Sequence, residues 1–228
     1  MSAETTPAAT VATPLGLRER KKQQTRAHIA STARRLFTER GFEAVTVAEV
    51  ARAADVAEKT VFNYFPTKED LFYSGMEAFE EKLLGAVRDR APGQSVVDAF
   101  RGFFLNPSGE FALEGAGSAR EATQRILNVT KVITESPALR ARERQVLERY
   151  ADALAALIAE EAGADPDDVE PFVVAHALLG VHRSLIGYVR RRVLAGASAP
   201  RIAKELRVQA ETALARLEGG LGDYAVRR

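Results

Sequence analysis

Two short helical patterns with only three residues between them constrain this chain more than any other feature. Both lie in the segment TVAEVARAADVAEKTVFNYF, residues 46–65, which predicts one helix at 47–54 and a second at about 57–65. The linking residues Asp55-Val56-Ala57 are too few for a loop between independent helices, but they suit the tight turn of a helix-turn-helix. The segment therefore predicts two helices held at a steep angle.

Apolar residues recur along both helices and can form the seam that locks them together. The predicted seam consists of Val47, Val50, Ala51, Ala54, Val56, Val61 and Phe65. Ala51 is the critical position, because a larger side chain there would push the two helices apart. A fixed angle would present the second helix to a DNA major groove, which is about 12 Å wide.

The outer face of the second helix mixes hydrogen-bond donors, acceptors and aromatic rings. Its members are Glu58, Lys59, Thr60, Phe62, Asn63 and Tyr64. These groups can read base edges, so we predict that this face contacts duplex DNA. The alternative is a helical hairpin whose polar face is only solvated.

Helix ends frame the motif on both sides. Apolar residues at helical spacing predict a first helix at 21–40, which Gly41 ends. Two capping boxes follow, Thr46 with Glu49 and Thr67 with Asp70. The second box begins a long helix, predicted at 68–90, which would connect two domains.

Positive charge is concentrated around the motif. Residues 18–68 contain eleven Lys and Arg against six Asp and Glu, a net charge of +5, while the remainder carries −4. Five basic side chains lead into the first helix: Arg18, Arg20, Lys21, Lys22 and Arg26. We expect this basic arm to follow the DNA backbone or to enter a minor groove; a solvated N-terminus is the alternative.

The rest of the chain is also patterned as helices, and no stretch shows sustained alternation of apolar and polar residues. Further helices are predicted near 95–105, 117–135, 138–162, 169–195 and 199–218. We therefore predict an all-α fold. Its parts are a flexible arm at 1–17, a three-helix helix-turn-helix domain at 18–67, a second helical domain at 68–220, and a tail at 221–228.

The block from Thr25 to Phe72, with LFTERGFEAVTVAEVARAADVAEKTVFNYFPTKEDLF at its centre, resembles the DNA-binding domain of the TetR (tetracycline-repressor-like) family. It combines the first helix, both capping boxes, the turn and the pattern T-V-F-x-Y-F-x-x-K-E-x-L in order. The resemblance implies a homodimeric repressor of double-stranded operator DNA, released by a small-molecule effector that the C-terminal domain binds. It also implies phosphate contacts at Thr46 and Lys68, and groove contacts at Glu58, Lys59, Thr60, Asn63 and Tyr64.

Two positions depart from the family pattern. Asp55 stands where the family commonly has glycine, but aspartate tolerates a left-handed backbone, so we expect the turn to form at some cost. Phe62 stands where tyrosine is usual; the hydroxyl is absent, which disfavours a phosphate contact at that position.

The same resemblance implies that the last two long helices form a four-helix bundle with a dimer mate. Apolar candidates for this contact are Leu178, Leu179, Leu185, Ile186, Val189, Ile202, Leu206, Val208, Ala213 and Leu217. The same residues could instead form a core within one chain, and the sequence does not separate the two.

An effector pocket is expected among the helices between residues 95 and 190. Candidate wall residues, many of which could instead be ordinary core, are Phe100, Phe103, Phe104, Phe111, Ile126, Val129, Ile133, Leu147, Tyr150, Leu154 and Phe172. His176 and Arg183 share a helix face and could anchor an anionic effector, or be core or interface residues. We expect the effector to move the helix at 68–90 and so change the spacing of the two DNA-reading helices.

Other functional classes find less support. The absence of cysteine excludes disulfides and cysteine nucleophiles, and the three histidines accompany no catalytic or metal-binding motif, so we expect no enzyme, metal or cofactor. No apolar run approaches the ~20 residues that span a bilayer, so a cytoplasmic protein without membrane contact is expected. The alternatives are a helical enzyme or ligand carrier with a vestigial helix-turn-helix, and a regulator that activates or has no effector.

Overall fold

The computed structural model describes residues 16–106, 117–221, 224 and 226, and every regular element in these ranges is an α-helix. The elements are α1 (Leu17–Arg40), α2 (Val47–Ala53), α3 (Glu58–Tyr64), α4 (Lys68–Phe72), α5 (Met76–Arg88), α6 (Val96–Leu105), α7 (Ala119–Glu135), α8 (Pro137–Ala162), α9 (Glu170–Leu194) and α10 (Ala199–Leu221). The all-α prediction is confirmed for this part of the chain. Most of the predicted arm and tail, and Phe111, lie outside the described residues.

Helices α1 to α4 form an N-terminal domain around one apolar core. Phe37 is fully buried at its centre, with its ring 4.9 Å from that of Phe42 and 6.3 Å from that of Phe72. Gly41 ends α1 with a positive φ of 83°, a conformation that only glycine adopts without strain, as the sequence predicts. Helix α1 begins at Leu17, four residues before the predicted start at Lys21, so all of the basic arm from Arg18 to Arg26 is helical.

Helices α5 to α10 form the C-terminal domain, whose core is aromatic at one end. Phe79 of α5 lies against Phe103 and Phe104 of α6, Tyr150 of α8 and the buried His182 of α9, with ring centroids 5.2 to 6.2 Å apart. Helices α8 and α9 pack side by side, and α10 packs against α9 and α6. This cluster shares no residue with the buried cluster around Phe37, which includes Val132, Ile133 and Leu139 of α7 and α8 as well as residues of the N-terminal domain.

The predicted connecting helix at 68–90 is wrong: the chain forms two helices, α4 and α5, with a turn at 73–75 between them. Two arginines of α1 stabilise the turn: Arg26 donates to the Ser74 carbonyl (3.3 Å) and Arg34 donates to the Ser74 hydroxyl (3.1 Å). Leu71 of α4 belongs to the N-terminal core, whereas Leu83 and Val87 of α5 belong to the C-terminal core. The break therefore lets each half-helix face its own core.

Helix α9 is long and apolar enough to cross a membrane by length and composition alone. The expectation that no apolar run approaches this length was therefore wrong. The helix is instead a central element of the C-terminal domain, packed against α7, α8 and α10.

Among the candidates for dimer contact, six are buried within the subunit: Leu178, Leu179, Leu185, Val189, Ile202 and Leu206.

Three polar contacts join the N-terminal domain to the start of α8, and we call them the domain junction. The Ser136 hydroxyl donates to Glu43 Oε1 (2.6 Å), the Tyr73 hydroxyl donates to the Leu139 carbonyl (3.1 Å), and Arg142 forms an ion pair with Asp70 (2.6 Å). Because Ser136, Leu139 and Arg142 lie three residues apart, all three contacts come from one face of α8. These contacts join this end of α8 directly to the N-terminal domain.

Candidate DNA-binding surface and effector cavity

Helices α2 and α3 pack through the seam predicted from the sequence. Val50, Ala51, Ala54, Val61 and Phe65 are buried, while Val47 and Val56 are half-buried at its edges. Asp55 has a positive φ of 52°, so the turn adopts the left-handed conformation expected at this position. The Val56 amide donates to the Ala51 carbonyl (3.0 Å) and closes the turn.

The start of α2 is fixed by a reciprocal capping box. The Glu49 amide donates to the Thr46 hydroxyl (3.2 Å), the Thr46 amide donates to Glu49 Oε2 (2.8 Å), and Arg40 donates to Glu49 Oε1 (2.7 Å). The hydrogen bond from the Thr46 amide, followed by those from Arg40 and the Thr46 hydroxyl, lowers the pKa of Glu49 to about 2. The carboxylate therefore stays ionised, and the Thr46 hydroxyl takes part in the cap.

Thr46→Ala should lower the free energy of unfolding by about 1 kcal/mol, because it removes the side-chain acceptor for the Glu49 amide. The measurement is urea unfolding followed by circular dichroism. Thr38→Ala is the matched control, since Thr38 is exposed in the last turn of α1 and caps no helix. Equal losses in the two variants would contradict the assigned role of the cap.

The predicted reading face of α3 is open to solvent. Glu58, Lys59, Phe62 and Asn63 are exposed, and Thr60 and Tyr64 are half-buried. Phe62 is 44% exposed, a high fraction for a large apolar ring. The structure thus brings all six predicted residues together on one short helix beside the seam.

The remaining basic residues fall into two groups. Arg18, Arg20, Lys21 and Lys22 are exposed on the first turns of α1, where they are available to a polyanion. Two others contact the protein instead. The Arg26 guanidinium lies over the Phe65 ring at 5.0 Å, and the half-buried Lys68 ammonium lies over the Phe42 ring at 4.3 Å.

A cavity of about 470 Å³ lies where the N-terminal domain meets α7, α8 and α9. Its walls come from residues far apart in the chain: Arg34, Phe72, Tyr73, Gly75, Arg125, Ile126, Val129, Thr130, Ile133, Glu143, Ile186, Val189 and Arg190. Cavities of 300–1,000 Å³ are the usual size of small-molecule sites. Ile126, Val129 and Ile133 are the predicted wall residues that line it.

The other predicted wall residues lie elsewhere. Phe103, Phe104 and Tyr150 belong to the C-terminal core and its edge. Phe172 is 49% exposed, and His176 and Arg183 are also exposed, so these three do not line this cavity. The buried histidine of α9 is His182, which was not among the predicted wall residues. The expected pairing of His176 with Arg183 as a buried anchor is not what the structure shows.

His176 instead lies near two carboxylates of α8, Glu148 and Asp152, with one potential ligand atom from each residue within 4.8 Å of the others. All three side chains are exposed. Exposed groups of this kind are common on helical surfaces, so the cluster carries no metal assignment.

Sequence reasoning missed the charged walls of the cavity, Arg34, Arg125, Glu143 and Arg190. Each lies on a different helix, so no spacing along the chain links them. Of the four, Arg125 was the one that the sequence could most readily have indicated, because it shares a helical face of α7 with Val129 and Ile133 at i, i+4 and i+8. The other three needed the tertiary structure.

Comparisons with known proteins match both halves of the chain. A sequence profile described as "Bacterial regulatory proteins, tetR family" matches residues 29–74, and a profile described as "MftR C-terminal domain" matches residues 94–192. The HTH-type transcriptional regulator TcmR of Streptomyces glaucescens is 33% identical over 181 residues, which cover 76% of this chain and 78% of TcmR.

Solved structures show the same fold. Salmonella enterica GusR superposes with a TM-score of 0.51 and 21% identity, covering 86% of this chain and 94% of GusR. The reduced form of Escherichia coli NemR superposes with a TM-score of 0.50 and 16% identity, covering 86% of this chain and 96% of NemR.

Proposed function

Because the chain belongs to the TetR family of DNA-binding transcriptional regulators, we propose that it is a cytoplasmic, homodimeric repressor that a small molecule in the cavity releases from its operator. The observation that carries the proposal is the position of the cavity. One wall residue, Ile133, belongs to the same buried cluster as Phe37 and Val61 of the DNA-binding domain. An occupant therefore lies one side chain away from the core that supports α3.

The cavity also borders the domain junction. Tyr73 lines the cavity and donates its hydroxyl to the Leu139 carbonyl, and Glu143 lines it one residue after Arg142, which pairs with Asp70. Burial, followed by the nearby negative charge of Glu143, raises the pKa of Tyr73, so this phenol stays protonated and keeps donating. A ligand that displaced Tyr73 or the start of α8 would tilt the DNA-binding domain as a unit.

On DNA, the exposed face of α3 would enter the major groove, and the exposed basic turns of α1 would follow the backbone. Two copies related by a two-fold axis would place their α3 helices in successive grooves roughly 34 Å apart, which requires a palindromic operator. Lys68 can reach a phosphate only by leaving or sharing the ring of Phe42.

The proposal is tested by DNase I footprinting on the DNA upstream of the protein's own gene. A repressor of this kind protects a palindrome, and the protection depends steeply on salt because phosphate contacts release counterions. Weak binding without a preferred fragment would instead favour the alternative of a helical enzyme or carrier with a vestigial helix-turn-helix.

Dimerisation is proposed to use the apolar side chains that one subunit leaves exposed along α9 and α10. These are Val169, Phe172, Val173, Leu194 and Val208. Exposed apolar side chains in such number mark an interaction surface more often than isolated ones do. The six buried dimer candidates named above serve the subunit's own core, so the contact would fall to this outer face.

Phe172→Arg should convert the dimer to a monomer in sedimentation velocity and weaken operator binding at least about tenfold, because it places charge in an apolar interface. Phe172→Leu is the matched control, which keeps an apolar side chain at the position. A Phe172→Arg protein that remained dimeric would place the interface elsewhere.

A further inference from the structure

The charges around the cavity are unequal. Three guanidinium groups line it, those of Arg34, Arg125 and Arg190, against one carboxylate, that of Glu143. The described walls otherwise carry apolar or neutral side chains. A cavity that faces both apolar walls and surplus positive charge suits a ligand with both characters.

The single carboxylate is already engaged. Arg190 binds Glu143 through both of its terminal nitrogens, one of them 2.8 Å from Glu143 Oε2 and the other bonded to Oε1. Such a two-pronged pair satisfies both carboxylate oxygens and neutralises both charges. Glu143 is therefore a poor partner for a cationic ligand, and the surplus charge is that of Arg34 and Arg125.

These two arginines differ in their surroundings. Arg34 donates to the neutral hydroxyl of Ser74 at 3.1 Å, so its charge is not offset by that contact. Arg125 lies near the carboxylate of Glu121, whose pKa is lowered chiefly by hydrogen bonds from Ser118 and to a smaller extent by Arg125. Arg34 is thus the better position at which to test the effect of removing one positive charge from the cavity.

The remaining walls of the cavity are mainly apolar and partly aromatic. Phe72 comes from α4 and Ile133 from α7, while Ile186 and Val189 come from α9. From this arrangement we infer that the effector is an apolar, ring-containing molecule with one anionic group, and that Arg34 and Arg125 bind the anion. The inference rests on the proposed function, because it names the ligand class of the same cavity.

The test compares two fluorescent probes with the full-length protein. 1-Anilinonaphthalene-8-sulfonate carries an anionic sulfonate, and N-phenyl-1-naphthylamine has the same ring system without it. We expect the anionic probe to bind at least about tenfold more tightly, since a charge-assisted hydrogen bond to arginine is available to it alone. Equal affinities for the two probes would overturn the inference.

Substitutions in the cavity walls test where the probes bind and whether Arg34 binds the anionic group. Arg34→Gln should weaken the anionic probe about tenfold and leave the neutral probe within about twofold, whereas Arg34→Lys should restore most of the affinity. Arg144→Gln is the matched control, because Arg144 is exposed on α8 outside the cavity walls. Val129→Trp should weaken both probes by filling the cavity. The assignment would be contradicted if Arg34→Gln left the affinity for the anionic probe unchanged, or if Val129→Trp changed the affinity for neither probe.

A third measurement separates this inference from the proposed function. The anionic probe is titrated into the protein bound to fluorescein-labelled operator, and fluorescence anisotropy reports the release of DNA. Release together with a preference for the anion supports both proposals. Tight anion-selective binding without release would refute the ligand-released repressor and leave the ligand class standing, whereas release without a preference for charge would refute only the ligand class.

Discussion

Lys59→Glu should weaken operator binding at least about 30-fold, while the protein stays folded and dimeric. Lys59 is exposed on α3 beside Asn63, so the change replaces an attraction to DNA by a repulsion without disturbing the buried seam. Each half-site loses one contact worth roughly 1–3 kcal/mol, and a dimer loses two. The measurement is fluorescence anisotropy with a labelled operator at fixed salt concentration.

Lys82→Glu is the matched control for this experiment. It makes the same change of charge at an exposed position of α5, in the C-terminal domain. Operator affinity should change much less in this variant, because only the long-range electrostatic contribution is altered. Similar losses in the two variants would mean that overall charge, rather than the α3 face, decides binding.

Phe37→Ala should lower the stability of the DNA-binding domain by about 3–5 kcal/mol. Phe37 is fully buried, and its ring contacts those of Phe42 and Phe72, so truncation leaves a cavity at the centre of that core. Operator binding should be lost at growth temperature, whereas the dimer should persist because the C-terminal core is built from other residues. Differential scanning calorimetry and sedimentation velocity measure the two effects.

Phe62→Ala is the informative comparison for Phe37→Ala. Its ring is 44% exposed on α3, so its removal should change the free energy of unfolding by less than about 1 kcal/mol. Operator affinity should nevertheless fall if the ring contacts DNA. A large loss of stability from Phe62→Ala would show that the ring supports the fold rather than the groove contact.

The helix-turn-helix was predictable because its determinants are local. The capping box of Thr46 and Glu49 spans four residues, the positive φ of Asp55 belongs to one residue, and the seam repeats with the helical period. The turn that separates α4 from α5 also had a local signal, the Ser74-Gly75 pair, but helical periodicity on both sides of it favoured one long helix. Contacts from Arg26 and Arg34, some 40 to 48 residues away, hold the break.

Charged side chains near the motif were harder to place. The position and charge of Arg26 and Lys68 predicted DNA contacts. In the structure, the Arg26 guanidinium lies over the ring of Phe65 and the Lys68 ammonium lies over that of Phe42. A guanidinium or ammonium group is stabilised by the face of an aromatic ring as well as by a phosphate. Which partner it meets in the free protein depends on where the ring lies after folding, and no spacing along the chain contains that information.

The sequence by itself determined the helical class, the helix-turn-helix, the exposed face of α3 and the family of regulators to which the chain belongs. Each of these depends on interactions between residues close in the chain or on a contiguous motif. Only the tertiary structure decided that Ile126, Val129 and Ile133 line a cavity while Phe104 and Tyr150 fill a core, because all of these are apolar residues on helices. It also decided that three arginines line that cavity, since Arg34, Arg125 and Arg190 come from α1, α7 and α9 and share a cavity only after these helices pack together.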